Sequence, residues 1–160
     1  MKRIYVASSW RNKHQPRIVD MLRQEGHEVY DFRSPFFGLK DGFRWLDIDA
    51  NWETWDPSAY RDKLLGSAVA AQGFNSDFRA MRWADTCVLV MPCGRSAHLE
   101  LGWCAGAGKH TIVHIPESCE PELMNMIADD ITISDDELLN SLRGRISGTA
   151  EINASRMVKA

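Results

Sequence analysis

Several features that would have decided the class of this chain are missing from it. No apolar run approaches the roughly 20 residues that a bilayer-spanning helix needs, so the chain does not read as a membrane protein. Neither sign of charge dominates. With 19 Lys and Arg against 22 Asp and Glu, the net charge is -3, and a nucleic-acid polymer is not an expected partner. Cys87, Cys93, Cys104 and Cys119 form no Cys-x-x-Cys pair. They read as reduced, small hydrophobic residues of a cytoplasmic protein, with no metal expected on them. The start, Met1-Lys2-Arg3-Ile4, enters a strand at once and lacks a signal-peptide layout. There is no internal repeat and no low-complexity stretch.

Familiar catalytic signatures are missing too. Gly106-Ala107-Gly108-Lys109 fails as a phosphate loop: Trp103 stands where the first Gly belongs, and His110 follows the Lys where Ser or Thr is needed. His98-Leu99-Glu100 matches the His-x-Glu of zinc deaminases, but no Pro-Cys-x-x-Cys pair follows it. His110 and His114 have helical metal spacing on a predicted strand, so they read as structural. No Gly-x-Ser-x-Gly elbow is present. No cofactor is called for.

What is present is an alternation of strands and helices. Arg3-Ile4-Tyr5-Val6-Ala7 predicts a strand. Ile18, Val19 and Leu22 give the next segment a helical period, and Gly26 stops it. Glu28-Val29-Tyr30 predicts a second strand. Asp56 and Pro57 open a helix reaching about Ala71; Gly73 interrupts it, and Asn75 or Ser76 caps another through Trp83. The run 87–91 reads as a buried strand, and a helix capped by Ser96 follows. Strands at 111–115 and 131–133 come next, with a short helix opened by Pro121 between them. Ser134 and Glu137 form a capping box for a last helix ending near Gly144. These elements predict one α/β domain over residues 1–144. It is flavodoxin-like (Rossmann-like), with about five mainly parallel strands and helices on both faces. Residues 145–160 read as a polar tail, disordered or packed on a partner subunit.

Two places attract chemistry. Glu100 is the only acid in the charge-poor helix after the 87–91 strand, near the strand's carboxyl end, where open α/β sheets bind ligands. Its alternative is a first-turn acid on the helix dipole. The turn Ser8-Ser9-Trp10-Arg11-Asn12 follows the first strand, where backbone N–H groups, hydroxyls and a guanidinium suit an anion; ordinary capping is its alternative. Residues 32–55 are too long for a plain connection and rich in Phe and Trp, so they are expected to pack on something. Asp47, Asp49 and Glu53 there do not match a calcium loop.

Three pieces together resemble the nucleoside 2-deoxyribosyltransferase family and the related nucleoside monophosphate N-glycosidases. They are the first strand with its turn from Ala7 to Arg11, the segment Asp77-Phe78-Arg79-Ala80-Met81-Arg82-Trp83-Ala84-Asp85, and His98-Leu99-Glu100-Leu101-Gly102-Trp103. The resemblance implies a small flavodoxin-like enzyme that forms a homo-oligomer, a dimer or tetramer. It implies cleavage of the N-glycosidic bond of a nucleoside or nucleotide, the sugar passing to another base or to water. Glu100 then matches the nucleophile on C1′, and Asp77 the acid that holds the sugar or base and aids departure. Tyr5, Ser8, Ser9, Arg11, Gly94, Arg95 and Ser96 match substrate-binding positions. The family's transferases carry Asp where Gly94 stands, and its phosphate-binding hydrolases often carry Ser. Gly94-Arg95-Ser96 therefore leans toward a phosphorylated substrate. Two other functions fit the same scaffold: a non-catalytic nucleotide sensor, and an enzyme cleaving the nicotinamide bond of NAD.

Overall fold

The computed structural model describes residues 1–38 and 40–144; the tail expected at 145–160 lies outside them. Five parallel strands form one sheet in the order β2-β1-β3-β4-β5. They are β1 (Arg3–Ala7), β2 (Glu28–Asp31), β3 (Thr86–Val90), β4 (His110–His114) and β5 (Asp130–Thr132). This is the expected α/β, flavodoxin-like order, with its topological switch between β1 and β3. The helices are α1 (Gln15–Gln24), α2 (Pro57–Gly66), α3 (Ala68–Trp83), α4 (Arg95–Gly106) and α5 (Asp135–Leu142). No helix among the described residues is long and apolar enough to cross a membrane.

The described chain divides into two compact units. Met1–Val29 joins the chain from Ala84 onward in one, and Tyr30–Trp83 forms the other. In the first, alternation along the strands sorts the core. Ile4 and Val6 of β1, Val88 and Val90 of β3 and Ile112 of β4 meet Ile18, Val19 and Leu22 of α1 and Leu138 and Leu142 of α5. Residues of opposite parity, such as Cys87, face α4, where Cys104 hydrogen-bonds the Cys87 thiol. Every residue of β3 is buried, as a central strand covered on both faces requires. The two strand histidines are structural: His114 Nδ1 lies 3.0 Å from Thr132 Oγ1, and His110 Nε2 lies 3.5 Å from Asp130. Lys109, which ends the false phosphate loop, donates to the Ala84 carbonyl. At α5, Ser134 accepts from the Glu137 N–H at 3.3 Å, but the Glu137 carboxylate accepts from Ile133 and not from the cap residue itself.

The second unit explains the aromatic segment. Trp45 is its hub, with ring centroids 5.0 Å from Phe43, 5.9 Å from Trp55 and 6.4 Å from Trp52. Two short 3₁₀ turns, Trp45–Asp47 and Trp52–Thr54, carry it. Asp49 pins the hub, accepting from Trp55 Nε1 at 3.0 Å and pairing with Lys63. The Lys63 ammonium holds the Asp49 carboxyl well below its ordinary range.

The helical break sits elsewhere than the sequence predicts. It falls at Ser67, which is extended between α2 and α3, and Gly73 lies inside α3. Gly73 is there for close approach: a Cβ built on it would stand 2.7 Å from Phe43 Cβ. Gly73→Ala would gain about 1 kcal/mol in helix propensity and lose about 1–3 kcal/mol to overpacking. The expected net result is destabilisation with a displaced Phe43, read as a lower urea midpoint and altered tryptophan emission; a more stable Ala variant would refute the close-packing reading.

Candidate active site

The loops leaving β1 and β3 part at the switch point, and hydrogen bonds hold them in register. Ser8 Oγ donates to the Val90 carbonyl at 2.8 Å. Asn12 Nδ2 donates to the carbonyls of Val90 and Pro92, both at 3.0 Å. Asn12 Oδ1 accepts from the N–H of His14 at 2.7 Å and of Gln15 at 3.3 Å, so the same buried amide also caps the start of α1. Short polar side chains before a helix commonly bond the backbone just ahead of them. The reach across to β3 is the part that no local pattern announces.

Around this clamp the first unit gathers most of the expected residues. Ser9 Oγ accepts from the Arg11 N–H at 3.2 Å, and the Arg11 side chain is exposed. Gly94, Arg95 and Ser96 are exposed at the start of α4. Tyr5 is different: it is wholly buried in β1, opposite Cys87 of β3. The cap of α4 is Gly94, not Ser96; it is extended and offers no side chain to the helix N–H groups. A Cβ built there would meet nothing within 4 Å, so the terminus opens onto free space.

This earlier start moves Glu100 into the second turn of α4. The helix dipole acts within the first turn, so it no longer accounts for an acid at this place. Glu100 is half-buried. Its charge acts on the thiols of Cys87, Cys93 and Cys104. Burial, then the Glu100 charge, pushes the Cys93 thiol up to about 12. The hydrogen bond with Cys104, then burial, pushes Cys87 up as well. A thiol held neutral is a poor nucleophile. Cys93 Sγ instead packs 3.4 Å from Met91 Sδ and 3.5 Å from His98 Nδ1, and that Nδ1 lies 3.2 Å from the Gly94 carbonyl oxygen. Cys104 moves the other way: its hydrogen bond with Cys87 lowers its pKa.

Asp77 belongs to the second unit. It does not begin a helix: it sits in the third turn of α3, and Ser76 before it is buried and caps nothing. The helix start expected at Asn75 or Ser76 is therefore absent, and the dipole of a first turn does not account for Asp77. When ionised, its Oδ1 accepts from the Tyr30 hydroxyl at 2.8 Å. Tyr30 Oη also lies 2.9 Å from Ser76 Oγ. Burial raises the Asp77 carboxyl to about 6, against the lowering effect of Tyr30. Perturbed carboxyls of this kind concentrate at working sites. Sequence reading passed over Tyr30 and Ser76 as participants, because Tyr30 and Asp77 are 47 positions apart.

No protein-family model matches the chain, and no curated protein matches it. Solved structures do. The 2-deoxyribosyltransferase of Bacillus psychrosaccharolyticus aligns at TM-score 0.54 and 19% identity, over 86% of this chain and 90% of that one. A conserved protein from Enterococcus faecalis V583 aligns at TM-score 0.58 and 13% identity, over 91% and 99%. A CMP N-glycosidase of Clostridium botulinum aligns at TM-score 0.44 and 16% identity, over 89% and 99%. The first two likenesses are of fold.

The raised carboxyl has a consequence for stability. An Asp with its folded pKa above its unfolded one favours folding below the ordinary carboxylate pKa, and that contribution is lost as pH rises through about 6. Asp77→Asn keeps an amide for Tyr30 and removes the titration. Relative to Asp77→Asn, the native chain is therefore expected to lose up to about 3 kcal/mol between acid and neutral pH. Urea unfolding of both proteins across that range checks it; a constant difference would show that Asp77 ionises normally.

Proposed function

We propose that this protein is an enzyme that cleaves the N-glycosidic bond of a nucleoside or nucleoside 5′-monophosphate. The observation that carries the reading is Glu100: a half-buried carboxylate in the helix after the central strand, beside the topological switch. Neither capping nor the helix dipole accounts for an acid there. The fold shared with a 2-deoxyribosyltransferase adds support.

Cleavage of this bond builds positive charge at C1′ and negative charge on the departing base. A carboxylate beside C1′ stabilises that centre and closes on it as a covalent ester, which water or a second base then opens. Glu100 takes this part, held by a helix whose other inward residues, Ala97, Leu101 and Cys104, are buried. Asp77, neutral over a wider pH range than an ordinary Asp, holds the substrate or assists the leaving base. The exposed start of α4 and the Ser8, Ser9 and Arg11 turn form the phosphate end: open helix N–H groups, hydroxyls and a guanidinium favour an anion.

Two measurements test this. Incubation with a panel of nucleosides and monophosphates, with and without a free base, is expected to release base or make new nucleoside. Glu100→Gln is expected to keep the fold and lower turnover by about 10³-fold or more; comparable turnover in the purified variant would remove Glu100 from the reaction. The ratio of kcat/KM for a monophosphate over its nucleoside is expected to exceed one and to fall in Arg11→Ala. One charge-assisted contact of ~1.5–3 kcal/mol corresponds to about one to two powers of ten. A native enzyme that prefers the nucleoside would point to free nucleosides as substrates.

A further inference from the structure

The proton count around Asp77 does not close if Asp77 is ionised. Four oxygens stand in a row within the second unit. Asp77 Oδ1 lies 2.8 Å from Tyr30 Oη, Tyr30 Oη lies 2.9 Å from Ser76 Oγ, and Ser76 Oγ donates to the Phe37 carbonyl oxygen. The row contains three close O···O contacts, and each needs one hydrogen between its atoms. Tyr30 and Ser76 supply one hydrogen apiece, and a carbonyl supplies none. With Asp77 as a carboxylate, one contact is left as two oxygens facing each other without a hydrogen. Tyr30 and Ser76 are buried, so solvent does not relieve that shortage cheaply.

A third hydrogen on Asp77 Oδ1 completes the row. Asp77 then donates to Tyr30, Tyr30 to Ser76, and Ser76 to the Phe37 carbonyl. We infer that Tyr30 and Ser76 are positioning residues that keep Asp77 in its neutral form, through a directed hydrogen-bond relay ending on the Phe37 backbone. Burial acts in the same direction, and the Arg79 guanidinium sits 4.4 Å from the centroid of the Phe37 ring. The relay also ties the aromatic segment to the acid. Phe37 packs beside Tyr30 and Trp83 at centroid distances of 6.2 and 6.3 Å, so the carbonyl that terminates the relay is held by ring packing. In catalysis the relay has one consequence: Asp77 meets the substrate as a neutral acid without first having to capture a proton. That consequence rests on the proposed N-glycosidase reading. The relay itself does not.

Ser76→Ala separates the relay from a simple Tyr30–carboxylate pair. With the Ser76 hydroxyl gone, Tyr30 has its hydrogen free for the carboxylate, and ionisation becomes easier. The Asp77 carboxyl, followed by ¹³C NMR and assigned by its absence in Asp77→Asn, is expected to titrate about one pH unit lower in Ser76→Ala than in the native chain. The falling limb of the kcat/KM profile is expected to move by the same amount. An unchanged or higher Asp77 pKa in Ser76→Ala would overturn the relay. If Ser76→Ala does not fold, infrared difference spectra of native protein against Asp77→Asn decide. At a pH where ordinary Asp is ionised, a protonated-carboxyl stretch is expected, moving to higher frequency in Tyr30→Phe as its hydrogen-bond acceptor disappears. Absence of that band, or no movement in Tyr30→Phe, would equally overturn the relay. The carboxyl is read directly in both arms, so failure of the nucleoside panel alone overturns the enzymatic reading and leaves the relay standing.

Discussion

The first unit depends on the amide of Asn12. One buried side chain spends both hydrogens on carbonyls of the β3–α4 connection and its oxygen on the first N–H groups of α1. Parallel strands diverge at a topological switch, and loops there have no ladder to hold them. Asn12 substitutes for that ladder. With Ser8 it fixes where β3 ends and hence where α4 can begin. The open start of α4 and the position of Glu100 both follow from that. An aliphatic residue at position 12 would leave carbonyls and N–H groups without partners in the interior, each at a cost of about 1–3 kcal/mol.

The two candidate acids belong to different units. Glu100 is half-buried, and its charge adds to the burial that raises the Cys93 thiol. Asp77 lies beside the Tyr30 hydroxyl, and burial raises its carboxyl to about 6. The aromatic hub of the second unit explains how so exposed a segment keeps a definite shape: edge-to-face ring pairs and the Asp49–Lys63–Trp55 junction stand in for regular secondary structure.

Much of the fold was legible in the order of residues. All five strands and the alternation of strand and helix follow from local period and punctuation, because apolar runs of four or five residues bounded by Gly, Pro or Asp have few other solutions. Helix starts were legible where a local cap set them, as at Asp56, whose carboxylate accepts from the Ala59 N–H at 2.8 Å. Where a distant contact set them, local reading failed. Gly73 looked like a helix break and is a contact point for Phe43, and Ser96 looked like a cap and lies inside the helix that Gly94 begins.

The sequence by itself determined the fold class, the placing of Glu100 after the central strand and the small, polar turn after β1. These depend on periodicity and on residues near one another in the chain. Only the tertiary structure decided that Asn12 clamps two loops 80 positions apart, that Tyr5 is enclosed in the sheet, and that the Tyr30 hydroxyl stands between Asp77 and Ser76. The reason is physical. A hydrogen bond across the fold, and the desolvation that shifts a carboxyl, are properties of what surrounds a group in space, and a residue's neighbours in the chain do not specify them.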